Sequence, residues 1–410
     1  MLGAMTRRRI LKLFSLGTWA AVLSGCASTT QQASPTAAKP AESKPAAQAA
    51  TAAPAQAATT APAQGTTAAP GQVQTITLKM QSTWPTQDIF HEVFIDLGKK
   101  VEAMSGGRLK FEILPSGAVV PAFQLIDAVH QGVLDGGHGV PAYWFGKHRA
   151  ASLFGTGPSF GMNAEMLLAW IYYGGGQELY NELIQKTLGL NVQSFFHGPM
   201  PTQPLGWFKE PIQGPESFRG LKYRTVGLSA DLFTELGASV VILSGGEIVR
   251  ALERGVIDGA EFNNTSSDRL LGFPDVRKVL MAQSYHQPVE FLELLINKQK
   301  YDALPQDLKE IIRYANMAQS ADFTWKMIDR NSTDLKEMKE KQGVQVIKTP
   351  KSVLEAQLQA WDKIIDKESK ASPEFAKIVQ SQRDWAARVV PWYQEIMVEN
   401  ETAFQHYFQR

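Results

Sequence analysis

The sequence predicts an α/β fold of two similar lobes with a cleft between them, a long helix spanning both lobes, and further helices at the C-terminal end. Three observations carry this prediction. Strand-like alternation and helix-like periodicity follow one another over residues 74–139 and again over residues 219–262. One corner recurs, as "AVHQGVLDGGHG" (Ala128–Gly139) and as "ALERGVIDGAEF" (Ala251–Phe262). Each copy reads as a helix end, a glycine, a short apolar segment and Asp-Gly, then a divergent tip. Finally, Asp307 to Lys341 holds no proline and one continuous apolar periodicity, roughly 50 Å of helix and more than one small lobe needs.

Residues 1–25 read as a signal peptide. Arg7-Arg8-Arg9 and Lys12 precede an apolar run, Leu13–Leu23, that is shorter than the roughly 20 residues a bilayer-spanning helix needs. The run ends at Leu23-Ser24-Gly25-Cys26, which looks like a lipobox, with cleavage before Cys26 and lipid on its thiol. Cys26 is the single cysteine among 410 residues, so the mature domain has no disulfide. Thr6–Lys12 resembles a twin-arginine export signal; an ordinary secretory signal with extra arginines is the alternative. Residues 26–72 are the lipidated cysteine and a linker of Ala, Pro, Thr, Gln and Ser, too polar to offset its ordering entropy and expected to be disordered. As a coil it spans about 40 Å, so the expected arrangement is a domain held at the membrane by a lipid anchor only. Lys plus Arg total 41 against 40 for Asp plus Glu, which gives no field suited to nucleic acid.

Within the folded part, Ile76, Leu78 and Met80 alternate as a strand, and Phe90, Phe94, Leu97, Val101 and Met104 recur at helical spacing until Ser105-Gly106-Gly107. Leu109, Phe111 and Ile113 form a second strand; a helix about Phe123–His130 leads into a short strand expected at Val133-Leu134. The second round has a strand at Leu221–Thr225, a helix at Ser229–Leu236 and a strand at Ser239–Leu243. Ser244-Gly-Gly-Glu247 then starts a helix as a capping box, without the spacing of a phosphate loop. Ser352–Arg410 reads as further helices. Trp385, Trp392, Tyr393 and Phe404 give this end an aromatic face that either packs on the chain's own lobes or joins two copies in a homodimer.

A search for catalytic groups finds seven scattered histidines, no His-Glu-x-x-His, no Gly-x-Ser-x-Gly, no catalytic cysteine and no dinucleotide fingerprint, so no enzyme is expected. Binding residues are better supported. Arg224 closes a predicted strand, where open α/β sheets present ligands to a crevice, and its fork suits a carboxylate. Glu261 is an acid where the first copy has His138. With the Gln203 amide oxygen and a nearby backbone carbonyl it would suit a hard cation, Na⁺ or Ca²⁺; a Glu261–Arg224 salt bridge is the alternative. Asp135 and Asp258, in the two Asp-Gly turns, are expected to be structural and to accept local backbone N–H groups.

Several separated stretches, in order, carry a resemblance: Gly220–Arg224, Leu243–Ile248, Ala251–Glu261 and Asn297–Pro305. They are similar to the solute-binding proteins of TRAP (tripartite ATP-independent periplasmic) transporters, of the dicarboxylate-receptor type. Tyr143-Trp144, Gln203 before Gly206-Trp207-Phe208, and Glu261-Phe262 are most similar to the branch of 2-oxoacid and lactate receptors. The resemblance implies a two-lobed periplasmic-binding-protein-like fold over residues 73–410. Lobe 1 takes about 73–200 plus about 288–310, lobe 2 about 201–287, and the C-terminal helices about 307–410. It implies a small organic monocarboxylate, a 2-oxoacid or 2-hydroxyacid, delivered to TRAP permease subunits from the periplasmic or extracytoplasmic side. Arg224 matches the arginine that binds the substrate carboxylate. Gln203, Glu261 and the Phe262 carbonyl match positions that hold a cation bridging to the ligand. Trp84 and Tyr143 are further substrate candidates, against roles in the core. Gln287 stands where His-Glu-Pro is expected, which removes one negative charge from the cation site. Asn263-Asn264 also departs from the usual continuation and implies an atypical ligand. A lipid-anchored sensor or enzyme that reuses the fold is the alternative.

Overall fold

The computed structural model describes residues 74–409; the signal peptide, Cys26 and the linker lie outside them. The described strands, in chain order, are β1 (Ile76–Ser82), β2 (Leu109–Leu114), β3 (Gly136–Gly139), β4 (Val192–Met200), β5 (Gly206–Phe208), β6 (Lys222–Arg224), β7 (Ser239–Val241), β8 (Gly259–Ala260), β9 (Val279–Met281), β10 (Glu290–Asn297) and β11 (Gln345–Ile347). They form one sheet in the order β2-β1-β3-β10-β4 and another in the order β11-β9-β5-β8-β6-β7.

The two sheets repeat one plan. In the first, β1 lies parallel to β2 and β3; in the second, β6 lies parallel to β7 and β8. Beyond the third strand of each set comes an antiparallel neighbour, β10 beside β3 and β5 beside β8. The chain therefore crosses from one sheet to the other between β4 and β5 and returns between β9 and β10. Helices cover the faces for the usual reason. Ile89–Met104 is capped by Asp88, whose carboxylate accepts from the Phe90 N–H, and turns Phe90, Phe94, Leu97 and Val101 inward. Each such side chain contributes about 1.5–3 kcal/mol by leaving water. All eight residues of β10 are buried, as expected of a central strand with both faces covered.

The repeated corner is the same object twice, bond for bond. Gly132 and Gly255 end their helices in the left-handed region, at φ 73° and 67°, which glycine adopts without strain. The next N–H, of Val133 or Val256, returns to the carbonyl of Ala128 or Ala251, at 2.9 and 3.0 Å. Leu134 and Ile257 are fully buried while Val133 and Val256 are about half exposed. The strand expected at Val133-Leu134 therefore begins later, at Gly136, because those two residues are spent turning the chain. Asp135 and Asp258 then clamp the neighbouring strand. Asp135 N–H donates to Lys79 O and its carboxylate accepts from Lys79 N–H (2.9 and 2.8 Å); Asp258 does the same with Lys222 (2.7 and 3.0 Å). The accepted N–H groups lie on the adjoining parallel strand, so these carboxylates set sheet register rather than a local turn.

The helix Gln306–Lys341 is 36 residues long, about 54 Å at 1.5 Å per residue. It packs on β4 and on Ile89–Met104 in the first lobe and, towards its C-terminal end, on Thr265–Leu271 beside the second sheet. Ion pairs follow the same division: Lys100–Asp322, Lys326–Asp96 and Arg330–Glu92 on the first lobe, Arg269 to Asp334 and Glu337 on the second. Each is partly exposed and worth little alone. Near the C-terminal end, the Trp385 indole donates to Met166 O at 3.1 Å and packs on its own chain, whereas Trp392 and Phe404 are 56% and 52% exposed.

Asp258→Ala should lower the melting temperature by about 1–2 °C, from the loss of one strand-to-strand hydrogen bond worth about 1 kcal/mol, while ligand affinity stays unchanged. Calorimetric scans and a binding titration on the same preparation check both halves.

Candidate functional site

The tips of the two corners meet between the lobes. In sheet register Arg224 lies beside Ala260, as Gln81 lies beside Gly137 in the other lobe. Glu261, one residue on, therefore occupies the place that His138 takes in the first copy. A small cavity is lined by Trp84, Phe90, Val140, Tyr143, Met200 and Glu290 from one side, and by Arg224, Val226, Glu261, Phe262, Asn263 and Gln287 from the other. It leaves about 20 Å³ open to water, about the room of one or two molecules. Trp84, Tyr143, Arg224, Glu261, Phe262 and Gln287 thus share one wall set. Gln203 stands behind it, its amide N–H donating to Glu261 Oε2 at 2.5 Å.

Arg224 is 1% exposed and its guanidinium is largely engaged. Nε and Nη2 donate to Leu243 O at 2.9 and 2.7 Å, and Nη1 donates to Glu261 O and Glu261 Oε1 at 3.2 and 2.8 Å. An arginine has five N–H groups, so four are used and one on Nη2 is spare. The expected two-point grip on a carboxylate is not available while Glu261 holds Nη1; the Glu261–Arg224 salt bridge is present. Burial pushes the Glu261 carboxyl up against the pull of Arg224. Gln81 plays the corresponding part in the first lobe, clasping the loop after β2 through Val119 N–H, Val120 N–H and Val120 O.

The Phe262 ring lies 5.7 Å from the Arg224 guanidinium carbon and 6.3 Å from the Trp84 ring. A Cβ on Gly245 would stand 2.4 Å from that ring, so the first glycine of Ser244-Gly-Gly-Glu247 makes room for it while Glu247 closes the cap on the Ser244 N–H. Asn264 caps the next helix through the Ser266 and Ser267 N–H groups, and Asn263 faces the cavity. On the opposite wall, polar groups run in one direction. Trp84 Nε1–H donates to His138 Nδ1 (3.2 Å), which leaves Nε2–H of His138 for His197 Nε2 (3.1 Å) and Nδ1–H of His197 for Asn316 Oδ1 (2.8 Å). Burial keeps both histidines neutral, His197 falling to about 3.

Sequence reasoning missed Glu290. It is 3% exposed and lines the cavity, and burial pushes its carboxyl well up. Its signal was a pair of acids, Glu290 and Glu293, inside an otherwise apolar run, Val289 to Ile296. Two buried acceptors at the site have no partner, Gln203 Oε1 and Tyr143 Oη. Among the described residues no cluster of three or more His, Cys, Asp or Glu could hold a metal. A cation here would instead use mixed donors: the bare Gln203 amide oxygen, a Glu261 carboxylate and a backbone carbonyl, all hard oxygens of the kind Na⁺ and Ca²⁺ accept. The residues present fit such an ion.

Behind the site, the Trp207 indole donates to Asp268 Oδ2 at 2.7 Å, yet burial pushes this carboxyl up to about 8. In the unfolded chain an aspartate titrates near 4. Its contribution to stability is therefore full below about pH 4 and is lost as pH rises through 8. Asp268→Asn keeps an acceptor for Trp207. Its stability relative to the parent should climb between pH 4 and 8 and level off above, by on the order of several kcal/mol at pH 9; paired thermal scans across pH 4–9 test this.

Residues 80–371 match the family described as bacterial extracellular solute-binding protein, family 7. A monocarboxylate 2-oxoacid-binding periplasmic protein of Nostoc is 33% identical over 239 residues, which cover 58% of this chain and 65% of that protein. Two solved TRAP solute-binding proteins superpose over 82% of this chain. One, from Bordetella bronchiseptica, is 27% identical with a TM-score of 0.76 over 97% of its length, a dimer with copurified calcium and picolinate. The other, from Pseudoalteromonas atlantica, is 30% identical with a TM-score of 0.75 over 100% of its length, with bound sodium and pyruvate. Two sheets on one plan, a cleft between their strand ends and a match over most of the folded chain lead to one conclusion: the protein belongs to the family 7 bacterial extracellular solute-binding proteins.

Proposed function

We propose that the chain is the extracytoplasmic receptor of a TRAP transporter, taking up a small monocarboxylate such as a 2-oxoacid together with Na⁺ or Ca²⁺ and handing it to membrane permease subunits. The observation that carries this reading is the hydrogen-bond count at Arg224. Four of its five N–H groups are engaged and Glu261 neutralises it, so an anion gains a full grip only when something else takes the Glu261 carboxylate. Glu261 and the bare Gln203 oxygen would hold a hard cation, and with the Glu261 carboxylate so engaged Nη1 of Arg224 would be free to donate to the ligand. Trp84 and Phe262 then wall an apolar tail, and Tyr143 offers its unpartnered hydroxyl. The relatives support the pairing, since sodium with pyruvate and calcium with picolinate appear in two of them. They are named as solute-binding proteins, which favours a receptor over the sensor or enzyme alternative. The acid-rich wall favours a monoanion over a dicarboxylate, whose second charge would face Glu261 and Glu290.

Pyruvate binding followed by calorimetry tests the coupling. In the wild-type protein, chelator and sodium-free buffer should weaken binding by about 5–150-fold, the usual size of a coupling between sites. Glu261→Gln should remove that dependence, and Arg224→Lys, which keeps charge but loses the fork, should raise Kd at least about tenfold. Wild-type affinity indifferent to both cations sinks the cation part of the reading and leaves Glu261 as a fixed partner for Arg224.

The lipid anchor on Cys26 is the second part of the proposal. No helix among the described residues is long and apolar enough to cross a membrane, and the lipobox supports attachment through lipid. Cys26→Ser should move the protein from the membrane fraction to the soluble extracytoplasmic fraction; an unchanged distribution refutes the anchor. A homodimer through the exposed aromatics Trp392 and Phe404 remains a proposal on the same footing, supported by the dimeric Bordetella relative.

A further inference from the structure

Glu290 is a buried carboxylate with no cationic partner. Its Oε2 accepts from Gln287 Nε2 and its Oε1 from the Phe291 N–H, both at 3.2 Å. Among the described residues it makes no salt bridge, whereas Glu261 has Arg224 at 2.8 Å. A buried carboxyl group without a countercharge is costly to ionise and is seldom kept without a use. The fold also makes space for it, because a Cβ on Gly155 would fall 1.9 Å from Glu290 Oε1. The carboxylate lines the same cavity as Glu261, Tyr143 and Gln287. Two further oxygens, Tyr143 Oη in that lining and Gln203 Oε1 behind it, are at least nine-tenths buried and accept nothing. Oxygen acceptors thus exceed positive charge, which is the condition a bound cation relieves.

Position 287, where the resemblance implies an acid, carries a glutamine whose amide points at a glutamate three residues on. We propose that Glu290 supplies the carboxylate that Gln287 lacks, and that the site it completes with Glu261 selects a divalent cation over Na⁺. This inference rests on the cation reading above. Glu261 follows β8 of one sheet and Glu290 opens β10 of the other, so an ion held by both ties the two lobes together. Two carboxylates around one ion raise affinity for Ca²⁺ far more than for Na⁺, because ligand charge count sets affinity in all-oxygen sites.

The test uses the mature protein with CaCl₂ or NaCl alone, and then each with pyruvate, read by thermal shift and calorimetry. The wild-type protein should be stabilised by Ca²⁺ at lower concentration than by Na⁺. Glu290→Gln, which keeps the shape and removes the carboxyl group, should weaken Ca²⁺ at least tenfold and leave the Na⁺ response nearly unchanged. Adding Gln287→Glu to that variant should restore Ca²⁺ affinity. Equal Ca²⁺ affinity in wild type and Glu290→Gln overturns the proposal. So does a double variant that stays as weak as the single one, since the loss would then belong to packing. A wild-type protein that answers neither cation overturns this inference and the cation reading together. A response lost in Glu261→Gln but kept in Glu290→Gln overturns this inference alone.

Discussion

The ion pair between Arg224 and Glu261 is the constraint on which the cleft depends. Both side chains are 1% exposed, and a buried charge persists only where its partner is held in good geometry. Sheet register supplies that geometry. β6 and β8 run parallel with Arg224 beside Ala260, so the next residue of β8's exit is delivered to the guanidinium. The Asp258 clamp on Lys222 fixes the same register from the other end of the strand pair. Gly245 admits the Phe262 ring, and Leu243 O takes the two donors that face away from Glu261. Scaffold corner and binding tip are therefore one construction, in which the conserved backbone bonds of the repeat aim the residue that differs.

The two copies show what that arrangement permits. At the position of Arg224 the first lobe has Gln81, and at the position of Glu261 it has His138. Each lobe uses the first of these residues to hold the loop after its neighbouring strand, Val119–Val120 in one and Leu243 in the other. The second residue diverges in charge. His138 is kept neutral by burial and passes hydrogen bonds from Trp84 through His197 to Asn316 on the long helix. The wall around His138 is thus neutral, aromatic and tied to the helix that joins the lobes, while the opposite wall carries the Arg224–Glu261 pair. Orientation of a small acid between them follows from this difference.

Much of this was legible in the chain. Period-two and helical patterns located β1, β2 and the helix Ile89–Met104 because their apolar faces are local signals. The repeated Gly-Val-x-Asp-Gly announced a duplicated corner, and the proline-free stretch announced the long helix. The strand after the first corner was placed too early because Val133 and Leu134 look like strand residues, while the hydrogen bonds back to Ala128 that turn them belong to the helix end. The tally of donors on Arg224 was not legible, since Leu243 O and Glu261 Oε1 reach it only through sheet pairing. Glu290 was hidden for a related reason. An acid in an apolar run signals something unusual, but its proximity to Gln287 and Gly155 depends on how the chain returns from the second sheet to the first.

Charge balance then ties site to ligand. Asp88, Glu261, Asp268 and Glu290 are all buried, and burial pushes each carboxyl up, Asp88 to about 6 and Asp268 to about 8. Arg224 is the one guanidinium lining the described cavity. A receptor for anions with more acid than base at its centre would repel its own cargo unless positive charge arrives with it. Protons on the deeper acids lower the excess but leave Arg224 occupied by Glu261. In the proposed function an entering cation acts differently, because it would offset the ligand's charge and also compete for the carboxylate that blocks the arginine. Each partner then binds better in the presence of the other, as reciprocity requires of any two coupled sites. Under the proposed function, the salt bridge that looks like an obstacle to ligand binding is what would make the cation necessary.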